Sequence, residues 1–271
     1  MPRVPDCRNG NSTKHLPTDP KYCYSYSEMS SKSAKPWRKE QTGPFVQAIR
    51  PYFHMISWEF SSPTKRSFDE PDWEFPDLVS VIITRDPVSR LLAGDADTRR
   101  DYTGYQSHGL SHDRWWDFAV YDQVKNTDNF FLRILTTTPM VPRTKVQEKI
   151  PNHIREGLNR TTDEIIELFP TGINETHFEH GKALLDRFTV VLDIACLEEG
   201  MDVLARMLGL ELPAKDKRKN SHPKVGNTSQ ETIGYDDVYE YLLAKNQWDI
   251  ALYEYSKTIS LVQCGEKNDV E

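Results

Sequence analysis

The chain has 271 residues, enough to bury a core of its own, so folding needs neither a disulfide framework nor a structural metal. Its 34 Lys and Arg against 41 Asp and Glu give a net charge of −7, which argues against a bulk nucleic-acid binder, a role that needs a basic field. Hydrophobic residues are 37% of the chain and aromatics 11%, a polar composition whose aromatic share still argues against wholesale disorder.

Residues 1–43 are rich in Pro, Ser, Thr and Lys and show no sustained period, which predicts a loose N-terminal segment. The opening Met1-Pro2-Arg3-Val4-Pro5-Asp6 lacks the apolar stretch of a signal peptide. No run anywhere approaches ~18 consecutive apolar residues, the length that would span a membrane. From Phe45 to Phe60 the chain turns apolar and aromatic. Residues 61–76, with Pro63, Pro71 and Pro76, read as a loop.

Leu78-Val79-Ser80-Val81-Ile82-Ile83-Thr84 is the best strand in the sequence. Its β-branched, nearly continuous apolar character predicts burial on both faces, as in a parallel sheet. Arg85 follows, then Asp86 as a helix N-cap and Pro87 at the first helical position. Val88, Leu91 and Leu92 supply the helix's apolar stripe. Strand, arginine, helix start is an anion-binding layout.

Residues 95–112 read as a loop, and 113–135 as one helix with Trp116, Val120 and Val124 on a face. Further helices are expected at 161–169 and 177–185, and a second buried strand at Phe188-Thr189-Val190-Val191-Leu192. Residues 197–208 are amphipathic, and Gly209 ends that helix. A basic loop spans 214–224, and helices at 230–244 and 247–262 close the chain, the last with Trp248, Leu252, Tyr255, Ile259 and Val262 in line. Strands alternating with helices predict an α/β fold with a mainly parallel sheet. The expected organisation is a loose segment 1–43, one domain at 44–265 and a tail at 266–271.

Four cysteines, Cys7, Cys23, Cys196 and Cys264, allow three full pairings, and sequence does not choose among them. None has C-x-x-C spacing, which argues against structural zinc. Free or partly buried thiols are the expectation. Sequons at Asn11, Asn159, Asn174 and Asn227 lean toward a secretory-pathway lumen.

Val81-Ile82-Ile83-Thr84-Arg85-Asp86-Pro87-Val88-Ser89-Arg90 resembles the 3′-phosphate-binding segment of carbohydrate sulfotransferases: an apolar strand, then R-D-P-x-x-R-x-x-S. Three more stretches are similar to that family in the same order. His54-Met55-Ile56-Ser57-Trp58-Glu59-Phe60 resembles the H-V-x-x-x-[DE]-F segment of the uronosyl 2-O-sulfotransferases. Thr127 to Leu135 is similar to the family's N-x-x-x-R-x-L helix. Asn246 to Tyr255 resembles the closing N-x-x-D-x-x-L-Y-x-[YF]-A. The resemblance covers roughly residues 45–262. It implies a P-loop NTPase-like sulfotransferase fold that moves a sulfuryl group from 3′-phosphoadenosine 5′-phosphosulfate (PAPS) to a hydroxyl of a glycosaminoglycan-like glycan. It also implies a lumenal domain on the Golgi membrane, with neither a metal nor a nucleic acid as partner.

By the same resemblance Arg85 grips the donor's 3′-phosphate, for which a permanently charged planar fork is suited. Arg90 adds charge to that pocket or forms an ion pair along its own helix. His54 is the general base for the acceptor hydroxyl, a task that suits a neutral imidazole, with Glu59 as the alternative. Lys215, Lys217, Arg218, Lys219, His222 and Lys224 form a basic cluster that contacts anionic glycan or donor, or is simply a solvated loop. The pairs His108/His112 and His177/His180 have metal-like spacing without a third ligand nearby.

Two positions depart from the family. Its serine, eight residues beyond the R-D-P arginine, is Ala93, and its 5′-phosphosulfate loop K-[TS]-G/A-x-[TS] is missing from this chain. These departures sustain an alternative, a catalytically inactive relative that binds glycan or protein. A small-molecule kinase would need G-x-x-x-x-G-K-[ST], which does not occur. The family's order puts the 5′ loop several tens of residues before the histidine matched by His54, near or upstream of Met1. The expectation is therefore a chain truncated at its N-terminus, from a longer type II membrane protein.

Overall fold

A computed structural model of the chain describes residues 23–25, 55–57, 70–76, 78–93, 111–117, 119, 128–138, 172–210 and 228–264. Strands β1 (Cys23–Ser25) and β2 (Met55–Ser57) pair in parallel, with Tyr24 opposite Ile56. A short helix α1 (Glu70–Trp73) precedes β3 (Val81–Thr84), which pairs in parallel with β4 (Val190–Asp193). The register sets Val81 opposite Val190 and Thr84 opposite Asp193. Between β3 and β4 lie α2 (Pro87–Ala93), α3 (His112–Asp117), α4 (Phe130–Thr136) and α5 (Glu175–Leu185). After β4 come a 3-10 turn at Ile194–Cys196, then α6 (Leu197–Met207), α7 (Ser229–Ile233), α8 (Asp236–Lys245) and α9 (Gln247–Thr258).

The β4 strand is buried along its whole length, as its run of Val and Leu requires. The β3 strand is not, and here the expectation of two buried faces fails. Val79, Val81 and Ile83 are 41%, 39% and 48% exposed, while Ile82 packs inward and Thr84 is buried. The side chains of a strand alternate, so β3 covers the core with one face, and nothing among the described residues closes over the other.

Helix α9 sits at the centre, packed against α2, α4, α5, α8 and β4. Leu252 on α9 joins Leu132 and Leu135 of α4 and Leu184 and Leu185 of α5 in one core cluster, with Trp248, Tyr255 and Ile259 against it. Trp248, Leu252, Tyr255 and Ile259 are four of the five residues of the apolar line read from sequence; the helix ends at Thr258, short of the expected 262, and Val262 lies outside this cluster. Leu132, Leu185 and Leu252 are fully buried, and each contributes about 1.5–3 kcal/mol through burial. Gly181 lets α5 close on α4, since a Cβ there would lie 2.5 Å from Leu132 Cδ1. A second cluster joins Val88 and Leu91 of α2 to Trp115 and Trp116 of α3 and to Val238, Tyr241 and Leu242 of α8. Leu204 and Met201 of α6 cover Val190 and Leu192 of β4, and Gly209 ends the helix region at φ +63°.

The long helix expected over 113–135 is interrupted. Asn129 takes a left-handed conformation, φ 41° and ψ 49°, immediately before α4, which breaks the helical path. The helix expected over 230–244 is likewise two helices. Gly234, at φ 72°, closes α7, whose start is held by a capping box between Thr228 and Glu231.

The thiol expectation is corrected at one pair. Cys196 and Cys264 form a disulfide, with their Cα atoms 5.4 Å apart and 68 residues between them in sequence. It fastens the segment after α9 to the end of β4, where the Leu261 N–H donates to the Val191 carbonyl at 2.9 Å. Cys7 lies outside the described residues.

Candidate functional site

The C-terminal ends of β3 and β4 lie side by side and bring together what the sequence separates by more than a hundred residues. Asp86 caps α2, its Oδ1 accepting the Ser89 N–H at 2.6 Å, and Pro87 occupies the first helical position. This cap fixes Ser89 over the strand end. Arg85 Nε and Nη2 then donate to Ser89 Oγ at 3.3 and 3.1 Å. Among the described residues, no carboxylate reaches the guanidinium as an ion pair, and Nη1 has no hydrogen-bond partner. Partial burial lowers the Arg85 pKa, against the upward pull of Asp86 and Tyr253. A cation kept from bulk water and tied to a neutral hydroxyl can still receive an anion.

At the end of β4, Asp193 is 3% exposed. Its Oδ1 accepts the Ala195 N–H at 2.9 Å, and its two oxygens receive the Tyr253 hydroxyl at 3.2 and 3.0 Å. Burial and the adjacent Asp193 together push the Tyr253 pKa well up, so the phenol keeps its proton. One turn further along α9, Ser256 Oγ donates to Thr84 Oγ1 at 3.0 Å. Helix α9 is thereby stitched to the ends of both strands.

Arg90 takes a different path from Arg85. Its guanidinium lies 4.3 Å from the Phe130 ring centroid, in a largely buried position near Asp249. Burial lowers its pKa to about 10, with Asp249 pulling it up and Arg85 pushing it down. The two arginines of the R-D-P segment therefore feel each other's charge while one faces the strand ends and the other faces the helix interior.

Two further motif segments dock on one another, through residues 129–132 of the first and residues 245–249 at the start of the second. Asn246 Oδ1 accepts the Asn129 N–H at 3.0 Å, and Asn129 Nδ2 donates to the Lys245 carbonyl at 2.8 Å. Arg133 Nη2 pairs with Asp128 Oδ2 at 2.6 Å, with both side chains almost fully buried. Burial raises the Asp128 pKa despite that partner. The Lys245 Nζ donates to the Ala119 carbonyl at 2.8 Å, and burial lowers its pKa to about 8.

His54 and Glu59, the two candidate bases, lie outside the described residues. So do His108 and the basic cluster of Lys215, Lys217, Arg218, Lys219, His222 and Lys224. His112 pairs with Asp237 Oδ2 at 2.7 Å, and Trp116 Nε1 also donates to that oxygen at 3.1 Å. His177 belongs to the capping box of α5 with Asn174. Ala93 ends α2. Ser89 and Asp193 are not singled out by the sequence, and Tyr253 enters only as the tyrosine of the closing motif. The usable signal was positional: Asp193 ends a buried apolar run as Thr84 and Arg85 do, and Ser89 stands four residues beyond Arg85.

Comparison with protein families, with curated proteins and with solved structures finds no significant match for this chain.

Proposed function

We propose that this chain is a PAPS-dependent carbohydrate sulfotransferase of the P-loop NTPase-like fold, acting on a hydroxyl of a glycosaminoglycan-like glycan. The observation that carries the proposal is Arg85 at the end of a parallel strand, its fork held by Ser89 with Nη1 left unpartnered among the described residues. A charged planar fork so held suits a phosphate, and Arg85 would hold the 3′-phosphate of the donor. Support also comes from the docking of Asn129 on Asn246, because the residues that carry the family resemblance in two distant segments touch one another. The Cys196–Cys264 disulfide suits an oxidising lumen such as the Golgi.

The donor supplies a sulfuryl group: an O–S bond to the acceptor forms as the S–O bond to the nucleotide phosphate breaks. His54 would take the acceptor's hydroxyl proton, a role that rests on its sequence context alone. Charge placement and orientation supply most of the acceleration in such transfers.

Calorimetry of the 271-residue chain with 3′-phosphoadenosine 5′-phosphate tests the donor site. Saturable binding in the wild type, lost in Arg85→Ala, is expected. Equal binding by both would remove Arg85 from the site. Radiolabelled sulfate transfer to uronate-containing polysaccharide tests the activity. Ala93, where the family has serine, favours a second reading as an inactive glycan- or protein-binding relative. No saturable heat from the wild-type chain would leave that second reading in place of the first.

A further inference from the structure

A glycan linked to asparagine needs a free amide nitrogen and a place in the fold that leaves room for the sugar. Of the four N-x-[ST] sequons, Asn174-Glu175-Thr176 is the one whose asparagine lies among the described residues. It opens α5. Asn174 is the N-cap, with extended backbone at φ −145° and ψ −178°, and Glu175 and Thr176 begin the first turn. All three are exposed, as are Glu179 and His180 further along that helix. The chain enters through Gly172 at φ +68°, where an added Cβ would meet nothing within 4 Å. The inward side of the helix start belongs to Phe178, whose ring centroid lies 5.8 Å from that of Trp248.

The two ends of the Asn174 amide are used differently. Its Oδ1 accepts the His177 N–H at 3.4 Å and lies 2.7 Å from His177 Nδ1. A backbone N–H can only donate, so the atom it meets is the oxygen. Nδ2 has no hydrogen-bond partner among the described residues. Replacing one of its two hydrogens by a sugar leaves the cap intact. The Cys196–Cys264 disulfide is an independent pointer to the same chemistry, because such bridges form and persist in the oxidising secretory pathway, where asparagine is glycosylated.

We infer that Asn174 is an N-glycosylation site that works through two atoms: Oδ1 caps α5 and Nδ2 carries the glycan. The donor is a lipid-linked oligosaccharide diphosphate. A bond from Nδ2 to the sugar's anomeric carbon forms as that carbon's bond to the diphosphate oxygen breaks. Nδ2 gives up one proton, and the lipid diphosphate leaves with the electron pair. The inference shares the lumenal setting of the proposed function but not the role of Arg85, so a chain that binds no nucleotide would leave it standing.

The test maps the protein isolated from its own cells. Its peptides are treated with peptide N-glycosidase in heavy-oxygen water and read by mass spectrometry. Asn174 should be recovered as labelled aspartate, and Thr176→Val, expressed in the same cells, should lose that label. Asn174 bare beside an occupied Asn11, Asn159 or Asn227 overturns this inference alone. No occupied sequon, with Cys196 and Cys264 recovered as free thiols, overturns it together with the lumenal setting. Amide exchange at His177 tests the division between the two atoms. The rate should be the same in the glycosylated chain and in Thr176→Val, which keeps Asn174, and about fivefold faster in Asn174→Ala, the weight of one N-cap. If Asn174→Ala does not fold, the first two chains still decide, since fivefold faster exchange in the glycosylated one overturns the division.

Discussion

Asn129 and Asp249 exchange helix caps. The Asp249 carboxylate accepts the N–H groups of Phe131 and Leu132 in the first turn of α4, both at 2.8 Å. The Asn129 side chain, standing at the N-cap of α4, turns away from its own helix. Its Oδ1 accepts the Asp249 N–H in the first turn of α9 at 2.9 Å. Each helix start is thus satisfied by a residue 117 to 120 positions away in sequence. The left-handed backbone of Asn129 is what aims its amide at α9, and the surrounding polar bonds hold it there.

This swap has an acid-side signature. Burial raises the Asp249 pKa to about 6, against the backbone donors and Arg90, which favour the charged form. The folded pKa lies above the unfolded one, so the group's contribution is complete below about 3.8 and is lost as pH rises through 6. The unfolding free energy should therefore decline between pH 4 and 6.5 by on the order of 3 kcal/mol from this group. Asp128 moves in the same direction, so urea melts of Asp249→Asn against wild type isolate the Asp249 part. The variant should show a flatter slope over that window, and an unchanged slope would contradict the assignment. Asp249→Ala, which strands two backbone donors, should cost about 2–4 kcal/mol at neutral pH.

Lys245 gives the opposite signature on the alkaline side. It is 6% exposed, and burial lowers its pKa to about 8, with Asp128 opposing the shift and Arg133 adding to it. Its folded pKa lies below the unfolded one, so its contribution is complete only at high pH and is lost as pH falls through 8. Unfolding free energy should rise between pH 7.5 and 9.5 by on the order of 2 kcal/mol from this residue. Lys245→Met should remove most of that rise. A rise of equal size in the variant would place the titration elsewhere.

The Cys196–Cys264 bridge spans 68 residues, and the chain-entropy account assigns such a loop about 4 kcal/mol. The paired serine variant Cys196→Ser/Cys264→Ser should therefore unfold at a lower denaturant concentration. It should also exchange the Leu261 amide faster, because the bridge holds that residue on the Val191 carbonyl. A midpoint and an exchange rate equal to wild type would show that the tail is held by packing alone.

Much of the local structure was legible because its causes are local. The β-branched run at Val81–Thr84, the Asp86-Pro87 helix start, the apolar line on α9 and the stop at Gly209 each follow from residues next to one another. The errors arose where a distant partner decides. The period of 113–135 reads as one helix, yet Asn129 is drawn into the left-handed region by bonds to Lys245 and Asn246. The composition of β3 cannot say that one face lacks a cover. The cysteine spacing cannot choose Cys264 for Cys196.

The candidate site divides in the same way. Sequence by itself determined that Arg85 ends a strand and precedes a capped helix, because strand propensity and capping are written within ten residues. Tertiary structure alone decided what that arginine meets. The parallel register sets Asp193 opposite Thr84, the docking of α9 brings Tyr253 onto both Asp193 oxygens, and Arg85 keeps Ser89 as its partner. Hydrogen bonds between segments 60 or more residues apart leave no mark in a local pattern, since they form only once the core beneath them is packed.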